Sequence, residues 1–221
     1  MQELHRDTLH RGGFAGIKET RMVHDKRIGG NAQTWDGLGK FVYLADARYQ
    51  PFGESRMHSH HHINVITVML EGNLHHEGSL EHGQALTANQ VQVQRSGGEG
   101  FSHNEVNPEE FRCRLLQVWT LPEHSEGPAD YQVYDIELGK ITQIYGDSAE
   151  GNTASSATKI YVARLVKEQT WQLPQEFLCY VVNGSIEYQG KTYPDGSLIR
   201  GSGGELQVSS EDVHLTVITE S

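Results

Sequence analysis

Glycine-centred turns break this sequence at such short intervals that little but short strands fits between them. Glu71-Gly72, Glu77-Gly78, His82-Gly83 and Ser96-Gly97-Gly98 crowd one stretch of the first half. Glycine lets a chain reverse at positive φ without steric cost. The runs between and beyond these turns are INVITVML (63–70), QVQVQR (90–95), RCRLLQVWTL (112–121) and FLCYVVNGSIEYQ (177–189), all rich in Val, Ile, Thr and Tyr. QVQVQR and ELQVSS alternate with period two, as strands with one buried face do. No segment carries the periodicity of a long amphipathic helix. Several short strands at close spacing predict an all-β barrel or sandwich.

The pattern also repeats. LEGNLHHEGSLEHGQAL with its following SGGEG parallels VNGSIEYQGKTYPDGSL with its following GSGGEL. Each half runs from an apolar strand through a Gly turn, a short hairpin and another Gly turn to Ser-Gly-Gly-Glu. A repeated unit of this length predicts two similar β-barrels in tandem, the first over residues 1–130 and the second over 131–221. The polar, turn-forming stretch DSAEGNTASSAT (147–158) reads as an interdomain linker or a surface loop.

At 221 residues the chain can build its core without disulfides or structural metals. Its two cysteines, Cys113 and Cys179, sit in apolar runs and read as buried free thiols. Eighteen basic against 29 acidic residues give a net charge of −11, a poor platform for phosphate backbones or anionic membranes. No apolar run is long enough to span a bilayer, and the opening MQELHRDTLHRGG lacks the apolar core of a secretory signal. The expectation is a cytoplasmic protein with no direct nucleic-acid or membrane partner; a protein partner stays open.

Residues 58–62 read His-Ser-His-His-His and lead straight into INVITVML. On a strand, alternate residues share a face, so His58, His60 and His62 point one way and His61 the other. Imidazoles at i and i+2 can chelate one ion, and His103-Asn104-Glu105 repeats the spacing downstream. His58, His60, His103 and Glu105 form a candidate ligand set for a first-row divalent metal, with open positions left over. Either half alone is weak evidence; the two together, joined by strands and Gly turns, favour a shared site. His62 fits a supporting role better than ligation, and Asn64 shares the parity of His58 and His60. His75, His76, His82 and His124 read as surface residues, while His5, His10, His24 and His214 lack any partner spacing.

HSHHHINVITVMLEG (58–72) and SGGEGFSHNE (96–105) resemble the pirin family of bicupins, in the cupin superfamily. That resemblance covers roughly residues 40–120. It implies two tandem cupin-type, jelly-roll-like barrels with few short helices. It also implies His58, His60, His103 and Glu105 as metal ligands, with iron(II) the expected ion. The donor set equally suits Mn, Ni, Co, Cu or Zn. This chain departs from many relatives in carrying Ser59 and His61-His62 where they have Pro and Arg-Gly. Counting back from Gly184 as from Gly72 puts Thr170 and Gln172 at the positions of His58 and His60. Aligning the two Ser-Gly-Gly-Glu segments puts Ser209 and Glu211 opposite His103 and Glu105, so the second barrel is expected to hold no metal.

Pirin-like proteins divide between quercetinase-type flavonol dioxygenases and iron-dependent, redox-sensing partners of transcription regulators. The resemblance therefore implies either a dioxygenase acting on a flavonol or related enediol, with Glu105 as catalytic base, or a metal-bound regulator with no catalytic role.

Overall fold

The computed structural model of the protein describes residues 1–148 and 153–220. Contacts divide it into two units, Leu9–Asp135 and Met1–Thr8 with Ile136–Ser221. The chain opens on β1 (Gln2–His5), which groups with the second unit. The first unit holds β2 (Arg11–Phe14), β3 (Ile17–His24), β4 (Phe41–Tyr49), β5 (His58–His60), β6 (Asn64–Glu71), β7 (Asn73–Gly78), β8 (Gln84–Thr87), β9 (Gln90–Arg95), β10 (Phe101–Val106), β11 (Cys113–Thr120) and β12 (Asp130–Asp135). The second continues with β13 (Lys140–Tyr145), β14 (Thr158–Val166), β15 (Thr170–Gln172), β16 (Phe177–Asn183), β17 (Ser185–Tyr188), β18 (Lys191–Pro194), β19 (Ser197–Gly201), β20 (Glu205–Val208) and β21 (Asp212–Glu220). Helical structure among the described residues is limited to single 3₁₀ turns at Arg6–Thr8 and Lys26–Ile28. No helix there is long and apolar enough to cross a membrane.

Each unit is a pair of facing antiparallel sheets. In the first, a seven-stranded sheet ordered β12-β9-β6-β11-β4-β3-β2 faces a four-stranded sheet ordered β5-β10-β7-β8. Apolar residues from both, including Ala47, Met69 and Leu115 on one side and Leu74 and Leu86 on the other, meet between them. The second unit pairs β1-β19-β16-β21-β14-β13 with β15-β20-β17-β18. The sheets keep open edges, so each unit is a jelly roll rather than a continuously bonded barrel.

The repeat read from the sequence is a repeat of topology. Shifting the order β5-β10-β7-β8 by ten strands gives β15-β20-β17-β18, and β9-β6-β11-β4-β3 becomes β19-β16-β21-β14-β13. The matching turns use the same device: Gly72 (φ 76°) and Gly184 (φ 78°) both reverse the chain in the left-handed region. A division at residue 130 falls on the first residue of β12, which pairs with β9 inside the first unit. DSAEGNTASSAT follows β13 and ends on Thr158, the first residue of β14, its paired neighbour in one sheet; its residues 149–152 lie outside the described residues.

The interiors of the two units differ in kind. Phe177, Cys179, Val181, Tyr188, Leu206 and Leu215 are among the residues packed into a dry core in the second. There Thr170 faces Gln207 across the β15–β20 pair, as His58 faces His103 across β5–β10. The strand register thus puts Gln207, not Ser209, in the place of His103.

Candidate metal centre

Antiparallel pairing of β5 with β10 sets His58 directly opposite His103 and His60 opposite Phe101. One nitrogen from each of His58, His60 and His103 lies within 4.8 Å of the others, the one such group of potential ligands among the described residues. The Nε2 atoms of His58 and His103 are 3.1 Å apart, close to the roughly 3 Å that separates two cis ligands each about 2.1 Å from a shared ion. Three convergent imidazoles therefore fit a divalent transition metal.

Supporting hydrogen bonds fix the rings. His58 Nδ1 lies 2.7 Å from the Arg56 carbonyl oxygen, so an Nδ1–H donor leaves Nε2 free for a cation. His103 Nδ1 is 3.0 Å from the Gln94 side-chain amide, whose other end meets His76 Nε2 at 2.9 Å. His76 Nδ1 in turn lies 3.3 Å from the Glu81 carbonyl. In the structure the Gln94 amide nitrogen faces His103 Nδ1 and its Oε1 faces His76 Nε2. With the amide turned end for end, His103 Nδ1–H donates to its oxygen, its N–H donates to His76 and His76 donates to Glu81, which frees His103 Nε2 for a cation. Gln94 and His76 are both fully buried, so this relay is shielded from water. Outer partners of this sort orient metal-bound histidines. Gln94→Leu is expected to weaken metal binding about 10–100-fold, measured by chelator competition with Ni(II). Unchanged affinity would show that the relay does not hold His103.

Burial first, then the neighbouring imidazoles, lower the pKa of His60 and of His103 to about 3. Both rings are neutral over the physiological range, the form in which an imidazole can ligate a metal. On the opposite strand of the same sheet, Gly78 lets β7 approach: a Cβ there would meet the Ser102 carbonyl oxygen at 2.3 Å, next to His103.

Glu105, the fourth expected ligand, is not part of the histidine cluster. Its Oε1 accepts from Thr67 Oγ1 (2.6 Å) and Gln92 Nε2 (2.6 Å), and its Oε2 accepts from Tyr49 Oη (2.9 Å). Gln92 is held by Tyr131 Oη, which donates to its Oε1 at 2.9 Å. Burial, and then the Glu105 charge, push the Tyr49 phenol well above its usual pKa, which keeps it a donor.

The histidines and Glu105 line one cavity of about 350 Å³. Its walls follow strand alternation: Ile17, Glu19 and Arg21 on β3, Tyr43, Ala47 and Tyr49 on β4, Gln117 and Trp119 on β11. Small Ala47 leaves the space that a larger side chain would fill. Tyr43 and Trp119, cross-strand neighbours, stack at 4.3 Å, and Trp119 reaches His60 at 5.7 Å between ring centroids.

Other sequence-based expectations are corrected by the backbone. His62 adopts φ 58°, which ends the alternation after His60, and both His61 and His62 are exposed. Asn64 does not line the cavity; it bonds Thr120 Oγ1 and the Ser96 backbone N–H. His76 is buried rather than superficial. Cys113 and Cys179 are buried free thiols, as expected.

Residues 22–120 match the family model described as Pirin. The quercetin 2,3-dioxygenase of Escherichia coli K12 is 30% identical over 141 residues, 60% of this chain and 61% of that protein. A putative quercetin 2,3-dioxygenase of Zymomonas mobilis is 39% identical over 80 residues, 36% of this chain and 34% of that protein. The matched stretches thus span about a third to three fifths of these relatives' lengths. Among solved structures, bacterial pirin YhhW of Escherichia coli in complex with nickel(II) is similar with a TM-score of 0.82 at 16% identity, over 99% of this chain and 98% of that one. Quercetin 2,3-dioxygenase from Acinetobacter baumannii gives 0.75 at 21% identity, over 100% of this chain and 86% of that one. The family match covers β4 to β11, the strands that carry the histidines, and the fold match runs the length of the chain: residues 22–120 match the Pirin family, within a two-jelly-roll fold shared with bacterial pirins.

Proposed function

We propose that this protein is a metal-dependent dioxygenase acting on a flavonol or a related enediol, with His58, His60, His103 and Glu105 serving the metal and Glu105 also serving as base. The observation that carries this reading is the convergence of the three imidazoles on an aromatic-walled cavity that also exposes a carboxylate. A 350 Å³ space lies within the range of small-molecule sites, and the Tyr43–Trp119 stack offers a flat wall to a planar substrate. Iron(II) is the proposed ion. Nickel, the ion bound to the Escherichia coli pirin, suits the same donors.

A divalent ion in the site supplies positive charge that favours the ionised form of the substrate hydroxyl. The chain's own residues do the remainder. Thr67 and Gln92 occupy Oε1 of Glu105, which leaves Oε2, with Tyr49 as its single donor, to take the hydroxyl proton. Ala47 and the aromatic wall seat the ring.

The test is oxygen uptake with quercetin after anaerobic loading of the protein with Fe(II) and, separately, Ni(II). The expected result is flavonol loss matched by dioxygen consumption, and none under argon. A loaded protein that consumes no flavonol or enediol with any of the ions overturns the assignment. Redox-dependent capture of a protein by that inactive form would favour the regulator instead.

A further inference from the structure

At the end of the cavity carrying Tyr43, β3 contributes a carboxylate that the metal chemistry does not use. Glu19 is only 5% exposed. Its Oε1 accepts from both Arg21 Nε (2.8 Å) and Arg21 Nη2 (2.6 Å), while its Oε2 accepts only from Tyr43 Oη (3.1 Å). An ionised carboxylate has about four acceptor positions, so Oε2 can take one donor more. The Arg21 charge balances that of Glu19, so this end of the cavity gives no net pull on an anion. A neutral O–H donor is the group that suits it.

The wall fixes where that donor must be. Starting from the histidines it runs His60, Trp119, Tyr43 and then Glu19, so a flat ligand lying along it has one end at the imidazoles and the other at Oε2. Glu19 and Arg21 also line an adjoining cleft of about 340 Å³ with Asn31, Gln33 and Thr34. The far end of the ligand therefore lies beside polar groups rather than in an apolar dead end.

We propose that Glu19 reads a hydroxyl group on the end of the substrate remote from the metal, so that the site selects polyhydroxylated aromatics over analogues lacking that hydroxyl. This rests on the dioxygenase reading for the identity of the ligand's other end. Tyr43 competes for that oxygen, donating its single O–H to Oε2 at 3.1 Å.

Equilibrium binding without turnover tests it. Metal-loaded protein is titrated anaerobically with quercetin and with galangin, the same flavonol without hydroxyls on its pendant ring, and tryptophan quenching is followed. Wild type is expected to prefer quercetin about tenfold, the discrimination of one hydrogen bond to a charged acceptor. Glu19→Leu should bring the two to within about twofold by weakening quercetin alone. Tyr43→Phe, which removes the competing donor, should keep or widen the preference, and it stands as the test if the leucine variant does not fold. Equal binding of both compounds by wild type overturns the Glu19 proposal and leaves the flavonol site standing. Loss of the preference in Tyr43→Phe assigns recognition to the phenol and overturns it too. Binding of neither compound overturns the flavonol reading and this proposal with it.

Discussion

Metal content falls from about one transition ion per chain to none when His58 and His103 are both replaced by alanine, the all-or-none loss expected when a site loses two of its three imidazoles. The two rings come from strands paired in register, and their Nε2 atoms stand 3.1 Å apart. Removing both leaves His60 as the last imidazole of the group, and one imidazole does not hold a divalent ion against solvent. His58 is exposed and β5 is an edge strand, so the fold survives its truncation; His103 is buried but borders an existing cavity. Elemental analysis of both proteins after anaerobic loading reads the result, with circular dichroism as the control for folding. An ion retained in the double variant would mean that it binds elsewhere.

Phe177→Ala is expected to destabilise the second unit by about 3–5 kcal/mol, the usual loss for a large core aromatic, and to lower its melting temperature by roughly 10 °C at this chain length. The ring is fully buried, meets Tyr188 edge-on at 5.5 Å, and lies over Gly201, where a Cβ would stand 2.6 Å from its tip. Strand, aromatic and glycine interlock, and alanine leaves a void that β16 cannot close, since it is bonded on both sides by β19 and β21. Calorimetry of wild type and variant measures the difference. A shift below about 2 °C, under 1 kcal/mol at this size, would mean that the core collapses into the space.

Turns and alternation made the architecture legible, because a Gly reversal and a period-two strand are local properties of a chain. The histidine trio was legible for the same reason: i and i+2 spacing on two strands needs only register to converge. His76 was not, because a His-His pair between glycine turns looks solvated. The signal lay in parity, since Leu74 two residues earlier belongs to the buried face. His62 failed in the opposite direction, as alternation ends wherever a residue takes a positive φ. Glu19 and Arg21 were invisible as cavity residues: charged side chains on a strand normally mark its wet face, and here Glu19 is buried with the exposed Arg21 as its partner. Nor could QELH, four residues without a pattern, disclose that β1 belongs with a sheet built from the far end of the chain.

That last placement bears on biosynthesis. Residues 2–5 are made long before their partners on β19, residues 197–200, and His5 bonds the Asp195 carbonyl oxygen 190 positions away. Closing so long a loop adds little thermodynamic cost, since each doubling of length costs only about 0.6 kcal/mol. The delay is one of timing: the metal-binding jelly roll, residues 9–135, can be complete while the opening strand still waits for its sheet to be made.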